Sequence, residues 1–252
     1  MTLPEVGLAA VAGAILGSFA NVLIYRMPRG ESIVTPASRC PRCGTPIRAA
    51  DNVPLVSYLL LRGRCRSCGE RIAGRYPLVE GLMAALAAAA WATQPDLLAR
   101  LSALALAFLL LVITFIDLDH QLILNRLSYP GVLLGLGFAA AQGRLVPAVL
   151  AALGAGGLIA AIVILSRGGM GEGDIKLAAM IGAFLGWPGV AVALFAAFLV
   201  GGLVGVGLLA LRLRRRRDAI PFGPALAAGA LVALYWGERL WAWYWSLGVP
   251  GF

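Results

Sequence analysis

The sequence is short of charge. Only 13% of its 252 residues are Asp, Glu, Lys or Arg, about half the share of an ordinary soluble domain, while 60% are hydrophobic and the mean hydropathy is +0.87. So few charges cannot cover a surface that faces water, which excludes a soluble globular domain. The same composition excludes intrinsic disorder, which needs low hydrophobicity and high net charge, as well as collagen and a coiled coil. Lysine is nearly absent: Lys176 is the single one among 21 basic residues, and His120 is the single histidine. Acidic residues number 12, leaving a net charge of +9. In a soluble protein that balance points to nucleic acid, but in a chain this apolar basic residues set topology first, and no nucleic-acid partner is expected. No basic segment precedes the first apolar stretch, Leu8 to Ile24; Glu5 stands upstream, and Arg26 and Arg29 follow. That order is expected of a signal anchor with its N-terminus outside, not of a cleaved signal peptide.

What is present is long apolar runs. A helix needs about 20 apolar residues to cross a bilayer. Apolar segments at 6–25, 78–94, 99–116, 129–142, 146–166, 175–187, 188–211 and 219–236 predict eight spans; those at 129–142 and 175–187 are short, which leaves six or seven full spans as the alternative. The expected fold is all-α: a polytopic membrane bundle of about eight transmembrane helices with a small cytoplasmic loop domain. With the N-terminus outside, 18 basic residues fall on the cytoplasmic side and 3 (Arg100, Arg144 and Arg239) fall outside, as the positive-inside rule requires. The run Arg212 to Arg217 reads as a topology signal in contact with lipid headgroups. Two regions are expected: residues 1–97, a first span with a cytoplasmic loop at 26–77, and residues 98–252, a helical bundle. Oligomeric state is left open.

All four cysteines lie in that loop, as Cys40-Pro-Arg-Cys43 and Cys65-Arg-Ser-Cys68, with Gly44 and Gly69 directly after each pair. Two C-x2-C pairs separated by 21 residues suit tetrahedral zinc, and glycine after each pair lets backbone amides turn toward the sulfurs. Such a metal would be structural, since four thiolates leave no open position for water. Disulfide pairing and thioredoxin-like redox chemistry are the competing readings. A reducing cytoplasm disfavours the first, and the absence of a βαβ pattern disfavours the second.

Two acidic residues fall at membrane depth. Asp117 ends the third apolar segment in Phe115-Ile116-Asp117-Leu118-Asp119-His120, and Asp174 opens the sixth in Gly171-Glu172-Gly173-Asp174-Ile175-Lys176. Carboxylates there are costly and mark function by default. Two crossings separate them, so both belong to one side of the membrane, the cytoplasmic one. Two carboxyls brought together share a proton, one acting as base on water and the other as acid on a carbonyl oxygen: the machinery of aspartic proteolysis. Asp119 points about 200° away from Asp117 on a helix, so only one of the two can face Asp174. His120 and Gln121 share the Asp117 face. The competing reading makes these residues helix-end charges, with Asp174 capping a helix N-terminus.

The ordered set of motifs resembles the type IV prepilin peptidases, also called prepilin leader peptidase/N-methyltransferases. It runs from Gly17-Ser18-Phe19-Ala20-Asn21-Val22 through the cysteine pairs, Asp51-Asn52-Val53-Pro54 and Arg75-Tyr76-Pro77-Leu78-Val79-Glu80. It continues with Ile116-Asp117, Gly171-x-Gly173-Asp174 and Pro221-Phe222-Gly223-Pro224. The resemblance implies an intramembrane aspartic endopeptidase of the bacterial inner membrane with Asp117 and Asp174 as its catalytic pair. It would remove the leader of type IV prepilins and type II secretion pseudopilins after a Gly. Members with the cysteine loop then methylate the new N-terminal residue, usually Phe, with S-adenosylmethionine. Gly171, Gly173 and Lys176 would support the active-site loop, the glycines giving room to a substrate backbone. Pro221, Gly223 and Pro224 make an irregular start to the last span, near a cavity. Glu80, Asp51, Asn52, Arg75 and Tyr76 are the candidates for methyl transfer, which no glycine-rich nucleotide motif marks. One departure stands out: the Leu/Ile-Pro-Asp usual after the first aspartate reads Ile123-Leu124-Asn125 here. The competing functions are a peptidase that keeps the cysteine loop only as a zinc scaffold, a proton- or ion-coupled transporter, and a presenilin-like protease.

Overall fold

The structure, a computed structural model, describes residues 3–166, 170–213 and 221–248. It divides into two compact units, Met1–Asp96 and Leu97–Phe252. Regular structure among the described residues is helical, apart from two isolated antiparallel bridges, Arg39 with Pro46 and Arg64 with Arg71.

The first unit contains α1 (Leu3–Arg26), the short α2 (Val56–Leu60) within the cysteine loop, and α3 (Arg75–Thr93). Helices α1 and α3 meet through small residues. A Cβ at Gly13 would lie 2.6 Å from Ala87 Cβ, and one at Gly17 would lie 2.7 Å from Glu80 Cα. The two backbones therefore approach as in small-xxx-small membrane contacts, where van der Waals packing replaces the hydrophobic drive that lipid cannot supply. Ala20, Val79, Met83, Ala87 and Ala90 are buried in this seam, whereas Leu8, Val11, Ile15 and Leu78 are exposed, as a lipid-facing helix surface is.

The second unit contains α4 (Leu97–His120), α5 (Asn125–Ala141), α6 (Leu145–Leu165), α7 (Glu172–Ala210) and α8 (Gly223–Gly248). Helix α7 consists of two helices with a break. Gly186 has a φ of +63° and Trp187 is extended, which ends the first half, 172–185, before the second, 188–210, begins. Gly186 fills the position just past a helix that favours positive φ, and Pro188 opens the next helix where its missing N–H costs nothing. The chain also reverses there. Asp174, in the first half, lies within electrostatic reach of Asp117, and a Cβ on Gly201, in the second, would touch Phe222 at the start of α8 beside Asp117. A continuous helix would hold positions 174 and 201 roughly 40 Å apart.

Arg144 secures the reversal. Its guanidinium donates to the carbonyl of Phe184 at 2.8 Å, one of the last carbonyls of the first half and therefore without a helical partner. The sequence counts Arg144 only as an outside charge; its side chain is a helix C-cap.

Among the described residues five helices are long and apolar enough to cross a membrane: α1, α3, α4, α6 and α7. This count by length and composition does not confirm the expected eight spans, and three segments account for the difference. Helix α5 has 17 residues, about 26 Å of rise against a hydrocarbon core of about 30 Å. Helix α8 carries Glu238 and Arg239 among its aromatic residues. The two segments predicted at 175–187 and 188–211 are the halves of α7, which count as one helix by length. Of the basic residues expected to set topology, Arg167 and the run Arg214 to Arg217 lie outside the described residues.

Candidate active site

Three helix ends meet at one end of the second unit. Asp117 sits in the last turn of α4, Asp174 in the first turn of α7, and Gly223 opens α8. Both aspartates are buried, each 5% exposed. Each carboxylate accepts one backbone amide. Gly223 N–H donates to Asp117 Oδ2 at 3.0 Å, and Gly171 N–H donates to Asp174 Oδ2 at 3.2 Å. Asp174 N–H in turn donates to the Gly171 carbonyl at 3.1 Å, closing a reciprocal cap on α7. The capping role that the competing reading gave to Asp174 is therefore real, and it uses one oxygen. In each case the second oxygen is left for water or for the other carboxyl. The charge of Asp117 reaches Asp174.

The neighbours sort themselves by exposure. Asp119, His120 and Gln121 are exposed, so of the two aspartates on α4 only Asp117 turns inward. Gly171 has open space where a side chain would be, apart from the Asp174 carboxylate 3.6 Å away. Gly173 is small for another reason than room for a substrate: a Cβ there would come within 2.8 Å of Ile123 Cβ. Its smallness lets the segment after α4 lie against the start of α7. Lys176 does not reach the carboxylates through any hydrogen bond; its Nζ donates to Asn125 Oδ1 at 2.5 Å and stands 5.6 Å from the Tyr129 ring, tying α5 to α7. Asn125 is the residue at which the sequence departs from the usual motif. Gly223 is the member of the site that the sequence placed near a cavity without a role. Its signal was the Pro221-x-Gly223-Pro224 pattern, and a Cβ there would lie 2.5 Å from Asp117 Oδ2.

In the first unit the cysteines form one cluster. The Sγ atoms of Cys40, Cys43, Cys65 and Cys68 all lie within 4.8 Å of one another, and Cys40 and Cys68 are 3.9 Å apart. Tetrahedral zinc with bonds of about 2.3 Å sets its sulfurs about 3.8 Å apart, so the donor set fits the metal. The two pairs are built alike. Cys40 N–H donates to Thr45 O and Gly44 N–H to Cys40 O; Cys65 N–H donates to Glu70 O and Gly69 N–H to Cys65 O. Gly44 and Gly69 take φ of +70° and +72°, which favours glycine. The Thr45 hydroxyl, 3.3 Å from Cys43 Sγ, and then its backbone amide bring the Cys43 thiol down to about 6, the thiolate form a metal takes.

The remaining sequence candidates gather beneath this cluster. Two Arg66 nitrogens donate to Asp51 at 2.8 and 2.6 Å, which holds its carboxyl below the usual carboxylate range. Glu80 Oε2 accepts the Leu55 N–H at 2.8 Å, and the Tyr76 carbonyl accepts from Asn21 at 3.1 Å. Asp51, Asn52, Tyr76 and Glu80 line a cavity of about 460 Å³. Arg75 does not line it.

Comparison with known proteins places the sequence in a family. Residues 11–94 match the bacterial peptidase A24 N-terminal domain, and residues 104–206 match the type IV leader peptidase family. A prepilin leader peptidase/N-methyltransferase of Aeromonas hydrophila is 38% identical over 91% of this chain and 90% of its own length. Proteins of the same name from Pseudomonas aeruginosa and Bacillus subtilis are 37% and 36% identical, over 90% and 93% of this chain and 89% and 95% of theirs. No solved structure matches the chain significantly. With both profiles matched in order and relatives aligned nearly end to end, the chain belongs to the type IV leader peptidase family.

Proposed function

We propose that this protein is an intramembrane aspartic endopeptidase that removes the leader of type IV prepilins and type II secretion pseudopilins after a Gly and then N-methylates the new N-terminal residue with S-adenosylmethionine. The observation that carries the peptidase reading is the pair of buried carboxylates, each fixed by one backbone amide, with the charge of Asp117 reaching Asp174. In the working pair one carboxyl is ionised and the other holds a proton. The ionised group takes a proton from a water lying between Asp117 and Asp174, and the water oxygen attacks the scissile carbonyl carbon. The protonated group gives its proton to the carbonyl oxygen. Collapse of the tetrahedral species breaks the C–N bond; the leaving amine takes the proton from the carboxyl that acted as base, and the other carboxylate takes back the hydroxyl proton as the carbonyl re-forms. Which aspartate starts ionised is set by the bound substrate. Gly171 leaves the approach to Asp174 open, and Lys176 with Asn125 positions the first turn of α7.

The residues 98–252 are the peptidase bundle in this reading, and residues 1–97 are the methyltransferase-associated part. Zinc on Cys40, Cys43, Cys65 and Cys68, when bound, cross-links a loop too small to hold itself by a core. The membrane is the bacterial inner membrane, with the N-terminus outside and the aspartates toward the cytoplasm, where a basic leader waits. Positive-inside charge supports that orientation.

The test is mass spectrometry of a co-expressed prepilin. Wild type should yield a mature pilin without its leader and heavier by one methylene at its N-terminus. Asp117→Asn and Asp174→Asn should each leave the precursor intact. Leader loss without methylation would leave a peptidase on a zinc scaffold, and processing by either Asn variant would overturn the dyad.

A further inference from the structure

We infer that the cavity between α1, the cysteine loop and the start of α3 is the binding site of the sulfonium methyl donor, with the Glu80 carboxylate facing the donor's positive charge. This rests on the methyltransferase half of the reading above and assigns it a place. Its volume of about 460 Å³ falls within the roughly 300–1,000 Å³ of small-molecule sites. Every residue of its wall comes from the first unit, between Ser18 and Glu80.

The wall carries both signs of charge, Arg26, Arg39, Arg66 and Arg71 beside Glu31, Asp51, Glu70 and Glu80, as a donor with a cationic sulfur and an amino-acid carboxylate requires. Tyr58 and Tyr76 line it and supply aromatic surface for a flat base or a cationic sulfur, while the Tyr25 ring, also in the wall, carries the Arg29 guanidinium 4.1 Å from its centroid. Among the wall carboxylates, Asp51 is engaged by Arg66, Glu70 lies 3.9 Å from Arg42, and Glu31 is exposed. Glu80 differs. It is only 9% exposed, and its hydrogen-bond partners, the Leu55 amide and the Ser18 hydroxyl, are neutral. A buried carboxylate without a paired cation among the described residues is costly unless a ligand brings the charge. Cys40 and Cys65 also line the cavity, so a metal on the cysteine cluster would hold the roof of the site.

Transfer itself is a direct displacement. The lone pair of the neutral N-terminal amine forms the N–C bond to the methyl carbon as the C–S bond breaks, and that pair passes to sulfur. Sulfur leaves as the neutral thioether, and the methylated ammonium gives its extra proton to water. Glu80 binds and orients the donor in this scheme and forms no bond in it.

The test is equilibrium binding of labelled S-adenosylmethionine to the full chain in detergent. Wild type is compared with Glu80→Gln, which removes the charge but keeps the acceptor for Leu55, and with Val22→Trp, which fills the cavity from α1. Preparations are used only if they retain zinc and cleave a prepilin leader, so misfolded protein does not enter the comparison. Both variants should bind the donor at least about tenfold more weakly. Wild-type affinity in both would overturn the assignment, as would weakening by Glu80→Gln alone, since a filled cavity must also exclude the donor. A wild type that methylates cleaved pilin while both variants methylate as well as it does would sink the cavity and spare the methyltransferase. A wild type that neither binds the donor nor methylates would remove the methyltransferase reading, and this inference with it.

Discussion

Replacing Gly223 by Ala should disable cleavage without unfolding the bundle. The added methyl would stand 2.5 Å from Asp117 Oδ2, where the native contact is a 3.0 Å hydrogen bond from the Gly223 amide. Neither group can yield cheaply: Asp117 lies in the last turn of α4 with Ile113 and Ile116 buried beside it, and Gly223 opens α8. The carboxylate must therefore move by about an ångström, a misplacement that costs about hundredfold in rate. Loss of an amide hydrogen bond to a charged acceptor, worth about 1.5–3 kcal/mol, is of the same size. Folding is protected because Gly223 is not among the glycines at positive φ, and Ala suits a helix better than Gly does. The assay is single-turnover cleavage of a prepilin by purified wild type and variant, with the thermal midpoint of each measured alongside. The expected result is a fall of about hundredfold in the chemical rate, little change in KM and an unchanged midpoint. A variant that cleaves at the wild-type rate would show that the Gly223 amide does not position Asp117, and the account of the site as three converging helix ends would fail.

Asp119→Asn should leave cleavage near the wild-type rate in the same assay, because Asp119 is exposed and turned from the pair; a loss matching that of Asp117→Asn would refute the facing argument. Chelation, or Cys65→Ser with Cys68→Ser, should release the metal and loosen the loop between α1 and α3, read as zinc content and protease sensitivity of residues 30–74; an unchanged digestion pattern after metal loss would argue against a structural metal. Arg144→Met should strand the Phe184 carbonyl at the α7 reversal and cost about 1–3 kcal/mol, seen as a lower thermal midpoint in detergent, and an unchanged midpoint would refute the capping role.

Much of this was readable from residues because the relevant signals are local. Long apolar runs give helices, and the division expected between 175–187 and 188–211 falls at the break in α7, where Gly186 ends one helix and Pro188 opens the next. The cysteine spacing fixes a four-sulfur cluster because each C-x2-C-Gly turn brings its own two sulfurs together. The 100° step of a helix is enough to turn Asp119 away once Asp117 faces inward. The family profiles and relatives bear out the resemblance drawn from the ordered motifs.

What sequence alone could not supply are contacts made across long separations by groups without a pattern. The amide that holds Asp117 comes from a residue 106 positions away, and a backbone N–H has no identity in a sequence. Gly173 reads as room for substrate because a glycine beside a reactive aspartate suggests access; only the packing of Ile123 shows that its missing Cβ serves the fold. Arg144 shows the limit most clearly. Counting charges assigns it to the outside, and the same guanidinium also caps a helix 40 residues further along the chain. A charge at a helix start satisfies a topology rule through its location and a packing need through its reach. The first depends on neighbouring residues in sequence, whereas the second depends on how α7 folds back on itself. That reversal brings position 201 to the end where Asp174 begins, and with it the start of α8 whose amide fixes Asp117. The site therefore depends on a turn at its far end: a continuous α7 would carry α8 away, and Asp117 would lose the Gly223 amide that orients it.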